Sequence, residues 1–334
     1  MSLWIAIAFA FAFALTNGFH DAANAIATLV ATRGARPLQA VALSAAFNML
    51  GVIVVGTAVA DTIAGIVTAP PTHVVSVVGS GVLAASVWNV LTWRRGIPSS
   101  SGHALVGGLV GAALAETGSS AVRLGGLHGL RPVGVFGVLI ALAVSPVVGF
   151  AFGLGLSRLA QRSLRRATRR VRRPIRAAEW AMSAALSFSH GANDGQKAMG
   201  AIAAVLLATG HTHALSVPLW AKIASGAALT LGTTMGGWRI VRTVGRGIIH
   251  LAPLDGFVAQ SASTAVILAF SYAGAPVSTT QVVASSVVGA GGGRRRWRHV
   301  RWAVVRSMAY AWLLTLPVTM ALGATTLLLW SAVD

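Results

Sequence analysis

The chain has 334 residues, of which 55% are hydrophobic and only 10% charged, against about a quarter charged in a soluble domain. It carries 26 Lys and Arg against 7 Asp and Glu, a formal net charge of +19, and no cysteine, which excludes disulfides, thiolate metal sites and cysteine nucleophiles. Apolar stretches of about 20 residues, the length that crosses a hydrocarbon core, recur along its whole length and leave no room for a separate soluble domain.

The first predicted span covers residues 3–31. No basic segment precedes it, and its apolar run flows into Thr16-Asn-Gly-Phe-His-Asp-Ala-Ala-Asn24, so it reads as a retained span and not as a cleaved signal peptide. With Thr16, Asn17 and Gly18 in its middle it is expected to be kinked or discontinuous, because irregular backbone at membrane depth persists where it lines a cavity. Spans 37–60 and 73–93 follow, then 98–118, which opens on Pro98-Ser-Ser-Ser-Gly-His103, and 132–157. Residues 158–176 hold nine arginines and no aromatic residue. That pattern fits a topogenic cytoplasmic loop able to touch anionic lipid head groups, and argues against a nucleic-acid surface with interleaved aromatics. The second half offers spans 177–208, with Ser189-His-Gly-Ala-Asn-Asp-Gly-Gln-Lys197 inside it, then 214–237, 247–272, 274–291, which contains Pro276-Val-Ser-Thr-Thr-Gln281, and 302–330.

The halves repeat. Asp21 superposes on Asp194 at an offset of 173 residues, pairing His20 with Asn193 and Asn24 with Lys197, and Pro98 superposes on Pro276 at an offset of 178. The expected fold is an all-α polytopic membrane protein of about ten spans, with a first repeat over 1–157, an Arg-rich cytoplasmic loop over 158–176 and a second repeat over 177–334. Five spans per half invert the second repeat, place both termini outside the cell membrane, and bring equivalent elements head to head near the midplane. Broken or re-entrant helices are expected at the motifs. A buried carboxylate and a hydroxyl cluster repeated once per half is the layout of a secondary transporter.

The chemistry of these strings points to a small oxyanion. A Pro suits the first turn of a helix, Ser and Thr cap it, and its unpaired N–H groups and positive dipole end face an anion. Two opposed termini, Ser99, Ser100 and Ser101 with Ser278, Thr279 and Thr280, would hold one anion between them; the plainer reading has these hydroxyls bonding back to the i−4 carbonyl. No P-loop pattern occurs, so the ligand is a free anion and not a nucleotide. An ionised carboxylate at membrane depth costs at least ~2.5–3.5 kcal/mol, and two beside an anion repel it, so a cation must offset them. Asp21 with Asn24, and Asn193 with Asp194, supply hard oxygen ligands for that cation, or a carboxylate takes a proton. Lys197 lies on the same helical face as Asp194 and reads as its salt-bridge partner or as extra positive charge for the anion. His20, His103 and His190 are proton relays or neutral, backbone-bonded imidazoles. Asn48 and Gln260 read as amides bridging helices.

At these residues the chain resembles the inorganic phosphate transporter (PiT) family, most closely its low-affinity bacterial proton-coupled branch. The resemblance rests on Gly18-Phe-His-Asp-Ala-Ala-Asn24, Gly191-Ala-Asn-Asp-Gly-Gln-Lys197, Pro98-Ser-Ser-Ser and Pro276-Val-Ser-Thr-Thr, with support from Gly232-Thr-Thr-Met-Gly-Gly-Trp-Arg239 and Gly256-Phe-Val-Ala-Gln260. It implies an inverted repeat, often a homodimer, that symports phosphate with sodium, with protons, or as a neutral complex with a divalent metal. It assigns cation coupling to Asp21, Asn24, Asn193 and Asp194 and phosphate binding to the hydroxyl strings. The chain departs from sodium-driven members at Lys197, where an Asn is typical, at Gln281, where a His is common, and at Gln260, where a Glu is common; these departures favour the proton. Sodium coupling and sulfate as cargo stay open within the family. A passive anion channel is the alternative of another class; a membrane enzyme finds no ordered nucleophile–base set, and no organic cofactor is implied.

Overall fold

The computed structural model describes residues 2–293 and 297–332; Met1, Arg294, Arg295, Arg296, Val333 and Asp334 lie outside them. Among the described residues the fold is helical apart from one small hairpin. The first half holds α1 (Ser2–Ala31), α2 (Pro37–Val54), α3 (Ala58–Ala64), α4 (Pro71–Arg95), α5 (Ser101–Thr117) and α6 (Gly134–Ser163). The second holds α7 (Arg172–Ala208), α8 (Leu219–Met235), α9 (Trp238–Arg242), α10 (Pro253–Tyr272), α11 (Thr279–Gly293) and α12 (Trp302–Ser331). Strands β1 (Gly126–His128) and β2 (Arg131–Val133) pair antiparallel between α5 and α6. Six helices, α1, α2, α4, α6, α10 and α12, are long and apolar enough to cross a membrane. Of the four further spans expected, α7 carries several charged residues and α5, α8 and α11 have 17, 17 and 15 residues.

The expectation of broken helices at the carboxylate motifs is corrected. α1 runs unbroken for 30 residues through Thr16–Asn24, and α7 for 37 through Ser189–Lys197. The reason is that the polar side chains of both motifs find partners on neighbouring helices, so the backbone keeps its own hydrogen bonds and no water-lined break is needed. Close crossing supports this. A Cβ on Gly18 would fall 2.1 Å from the Leu229 carbonyl of α8, and one on Gly191 would fall 2.1 Å from the Asn48 carbonyl of α2.

The breaks fall instead ahead of the hydroxyl strings. α4 ends at Gly96, with φ of +67°, and the turn after α10 passes through Gly274, with φ of +73°, a left-handed conformation that glycine adopts without the steric cost of a Cβ. The Ile97 amide then reaches back to Thr92 O at 3.0 Å and the Ala275 amide to Phe270 O at 2.8 Å, closing both helices the same way. Four residues, one of them a proline, then carry each chain into the next helix, α5 or α11. These two packed helices cross the halves: α5 lies against α12, and α11 against α6. The expected second span ends early at Val54, because α3 forms as a separate short helix whose first amides, Val59 and Ala60, donate to the Gln196 side chain of α7 at 2.9 and 3.3 Å.

Candidate functional site

The two aspartates meet in the middle of the molecule. α1 brings Asp21 and α7 brings Asp194, each 1% exposed, and one ligand atom from each of Asp21, His190 and Asp194 lies within 4.8 Å of the others. The helix N-termini of α5 and α11 arrive beside them, with all six hydroxyl residues at 2% exposure or less.

Asp21 accepts from Ser101 Oγ at 2.7 Å and from Thr280 Oγ1 at 2.9 Å, one hydroxyl from each string, and its Oδ1 lies 2.8 Å from His20 Nδ1. Asn24 donates to Thr280 Oγ1 at 2.9 Å and to Thr279 Oγ1 at 3.4 Å. Asp194 forms a buried salt bridge with Lys197 Nζ at 2.7 Å and accepts from Thr279 Oγ1 at 3.3 Å and Asn17 Nδ2 at 3.4 Å. His190 Nε2 lies 3.3 Å from the same carboxylate without hydrogen-bond alignment, and its Nδ1 meets Asn48 Oδ1 at 3.0 Å. Lys197 is fully buried and also donates to Val277 O at 3.1 Å.

The remaining motif residues hold the frame. Ser100 caps α5, accepting from the His103 amide at 3.2 Å and lying 2.7 Å from His103 Nδ1. Ser278 accepts from the Gln281 amide at 3.4 Å at the start of α11, where Gln281 is buried. His20 Nε2 lies 3.0 Å from Ser99 Oγ and 3.1 Å from Thr92 Oγ1, pinning the first break. Asn193 pins the second: its amide donates to Ser271 Oγ at 2.8 Å and Ala275 O at 3.2 Å, and its oxygen accepts from the Val277 amide at 3.2 Å. Asn193 therefore turns away from the aspartates, although it is adjacent in sequence to Asp194. Asn48 and Gln260 bridge helices, Asn48 to Thr233 at 3.0 Å and Gln260 to Thr28 at 2.6 Å.

Two features had no sequence signal strong enough to single them out. Asn17 reaches Asp194 across the halves, and its Oδ1, like that of Asn24, is buried without a hydrogen-bond partner. Such orphaned acceptors suit a cation. The polar face of α1 also continues beyond the site. Asp21, Asn24, Thr28 and Thr32 follow one another at helical spacing, and Thr32 donates to the fully buried Glu179 of α7 at 2.7 Å. The 3–4 spacing on α1 is visible in sequence, but its partners on α7 and α10 are not.

Apolar helices around a buried, doubly acidic, hydroxyl-lined centre are the architecture of a multi-pass membrane protein with a polar site at its middle, and its relatives make it a transporter. A model of the phosphate transporter family matches residues 17–323, and the chain belongs to that family. It is 41% identical over 327 residues, 97% of this chain and 76% of the relative, to a probable low-affinity inorganic phosphate transporter of Mycobacterium bovis. It is 39% identical to one of Rhizobium meliloti, over 95% of this chain and 93% of the relative. Over 61% of this chain and 46% of the relative it is 37% identical to the low-affinity inorganic phosphate transporter PitA of Escherichia coli. The fold is that of a solved sodium-dependent phosphate transporter, with a TM-score of 0.87 at 24% identity over the full length of both chains.

Proposed function

We propose that this protein imports inorganic phosphate across the cell membrane by symport with a cation, the proton in preference to sodium, through a ten-crossing pair of inverted repeats. The observation that carries the reading is the convergence of Asp21 and Asp194 on hydroxyls from both strings. Phosphate is the cargo that the family and the relatives' names support, and its oxygens suit the donors of two helix N-termini.

The repeat reading draws support from equivalent bonds. Asp21 with Ser101 corresponds to Asp194 with Thr279, and His20 with Ser99 to Asn193 with Val277, at the offsets of 173 and 178 residues found in sequence. The packing of α5 on α12 and of α11 on α6 exchanges the halves in the same way. The symmetry fails at one place. Asn24 contacts Thr280, and the corresponding pair is Lys197 and Gly102, where a Cβ on Gly102 would lie 3.6 Å from Lys197 Nζ.

This asymmetry divides the labour. Lys197 pairs with Asp194 at 2.7 Å, whereas Asp21 has no ammonium beside it, only the His20 imidazole, so Asp21 is the carboxylate whose charge the transported cation offsets. Ser101 and Thr280 cannot serve Asp21 and phosphate with the same hydrogens. A proton on Asp21 removes the charge that holds both hydroxyls and lets them turn to the anion, and each hydrogen bond to a charged group is worth about 1.5–3 kcal/mol. Phosphate binding and protonation of Asp21 therefore favour one another. A divalent metal travelling with phosphate would meet Asp21 and the orphaned oxygens of Asn17 and Asn24.

Radiolabelled phosphate uptake into proteoliposomes tests the transporter reading. Accumulation above the external concentration is expected, with unlabelled phosphate competing better than sulfate. Filling only to equilibrium would identify a passive channel, and equal competition by sulfate would reassign the cargo.

A further inference from the structure

Away from the central site, the ends of three helices enclose an apolar groove of about 500 Å³, a size typical of sites that hold small hydrophobic ligands (~300–1,000 Å³). Leu156 and Leu159 of α6, Pro174 and Ile175 of α7, and Leu254 and Phe257 of α10 form its walls. Its rim is the Arg-rich stretch. Ser163, Leu164, Val171 and Pro174 line the groove, and each is followed or preceded in sequence by an arginine: Arg162, Arg165, Arg170, Arg172 and Arg173. Eight arginines between Arg158 and Arg176 are exposed, and no acidic residue lies in that stretch. The two acidic side chains near the groove are turned inward: Glu179 accepts from Thr32, and Asp255 accepts from the Ala252 amide at 2.9 Å.

Position completes the picture. The apolar run of α6 ends where these arginines begin, and the groove lining alternates with them along the chain, which places the groove at the boundary between hydrocarbon and head groups. A groove that wants a hydrocarbon chain below a rim that wants phosphate matches one molecule, and both requirements come from the same few turns of helix. A topogenic signal alone needs the charges and not the groove.

We propose that this groove is a binding site for one anionic glycerophospholipid, with an acyl chain against Leu159, Ile175 and Phe257 and its phosphate on the arginines at the junction of α6 and α7. The site is separate from the transport centre and does not depend on the coupling reading.

The test is native mass spectrometry of the full-length protein released from nanodiscs of mixed phosphatidylglycerol and phosphatidylcholine. The wild-type protein is expected to retain one phosphatidylglycerol in preference to phosphatidylcholine through mild delipidation. R165Q/R166Q/R173Q, on the exposed junction where folding is least at risk, should lower that retention at least about fivefold. Ala178→Trp, which fills the groove and leaves every charge in place, should do the same, with the triple variant standing alone if the tryptophan prevents folding. Arg95→Gln, an exposed arginine of α4, should change nothing, and soluble glycerol 3-phosphate should not compete. Equal retention of phosphatidylcholine, an equal loss in Arg95→Gln, competition by glycerol 3-phosphate, or unchanged retention in the triple variant would each overturn the proposal.

Discussion

Lys197→Gln probes the hinge of the coupling argument. In the native protein the ammonium is fully buried, 2.7 Å from Asp194 Oδ1 and 3.1 Å from Val277 O. Glutamine keeps much of the length and a donor but removes the charge, leaving the buried Asp194 carboxylate with Thr279 and Asn17 as weak donors at 3.3 and 3.4 Å and the unaligned His190 ring at 3.3 Å. Breaking a buried pair by deleting one partner costs about 3–5 kcal/mol, equivalent to roughly a hundred- to a few-thousand-fold in a folding equilibrium. The cost belongs to the stranded carboxylate, so Asp194→Asn in the same chain should return most of it. The assay is thermal unfolding of detergent-solubilised protein, single variants against the double. A large loss for Lys197→Gln that Asp194→Asn repairs is the expected result. If the double variant is no more stable than Lys197→Gln alone, Asp194 is not held by Lys197, and the division of labour between the two aspartates collapses.

Further expectations concern cargo, topology and frame. Ser101→Ala and Thr280→Ala should each weaken phosphate uptake about tenfold or more, a lost hydrogen bond to a charged group being worth ~1.5–3 kcal/mol, at unchanged protein levels; normal uptake in the double variant would remove these hydroxyls from the site. Ser100→Ala should act differently, lowering thermal stability by about 1 kcal/mol as a lost helix cap with a smaller effect on phosphate affinity. A tag inserted at Thr168 should be hidden from external protease in intact cells, and its cleavage would contradict the cytoplasmic assignment of the loop. Gly18→Leu should prevent normal folding, because its Cβ would meet the Leu229 carbonyl of α8; wild-type yield and stability would contradict that packing.

Much of this architecture is written locally. Helix starts at Pro37, Pro71 and Pro253, the apolar runs between arginine groups, and the hydroxyl strings at helix N-termini all follow from rules acting over a few residues. So does the spacing that sets Asp21 and Asn24 on one face. What was not legible depends on partners distant in sequence. α1 stays helical through its polar motif because α5, α7 and α11 supply donors and acceptors that no window around Thr16–Asn24 contains. Asn193 points at the Ala275–Val277 break and not at Asp21, a choice made by where α10 ends. The contact of Asn17 with Asp194 and that of Thr32 with Glu179 are hidden for the same reason: each partner is an ordinary polar residue until a residue 147 to 177 positions away meets it. The arginine stretch, read as a loop over 158–176, is helical up to Ser163 and again from Arg172, since arginine is itself a good helix former.

If protonation of Asp21 and phosphate binding to the hydroxyls favour one another, a proton gradient must drive phosphate accumulation through Asp21. Proteoliposomes loaded to carry a pH gradient, a sodium gradient or a magnesium gradient separately, with labelled phosphate outside, measure this directly for the wild-type protein and Asp21→Asn. An inward pH gradient alone is expected to concentrate phosphate in the wild type, while Asp21→Asn should exchange phosphate across the membrane but no longer concentrate it. Concentrative uptake driven by sodium alone, with no response to pH, would contradict the account and reassign Asp21 and Asn24 as sodium ligands.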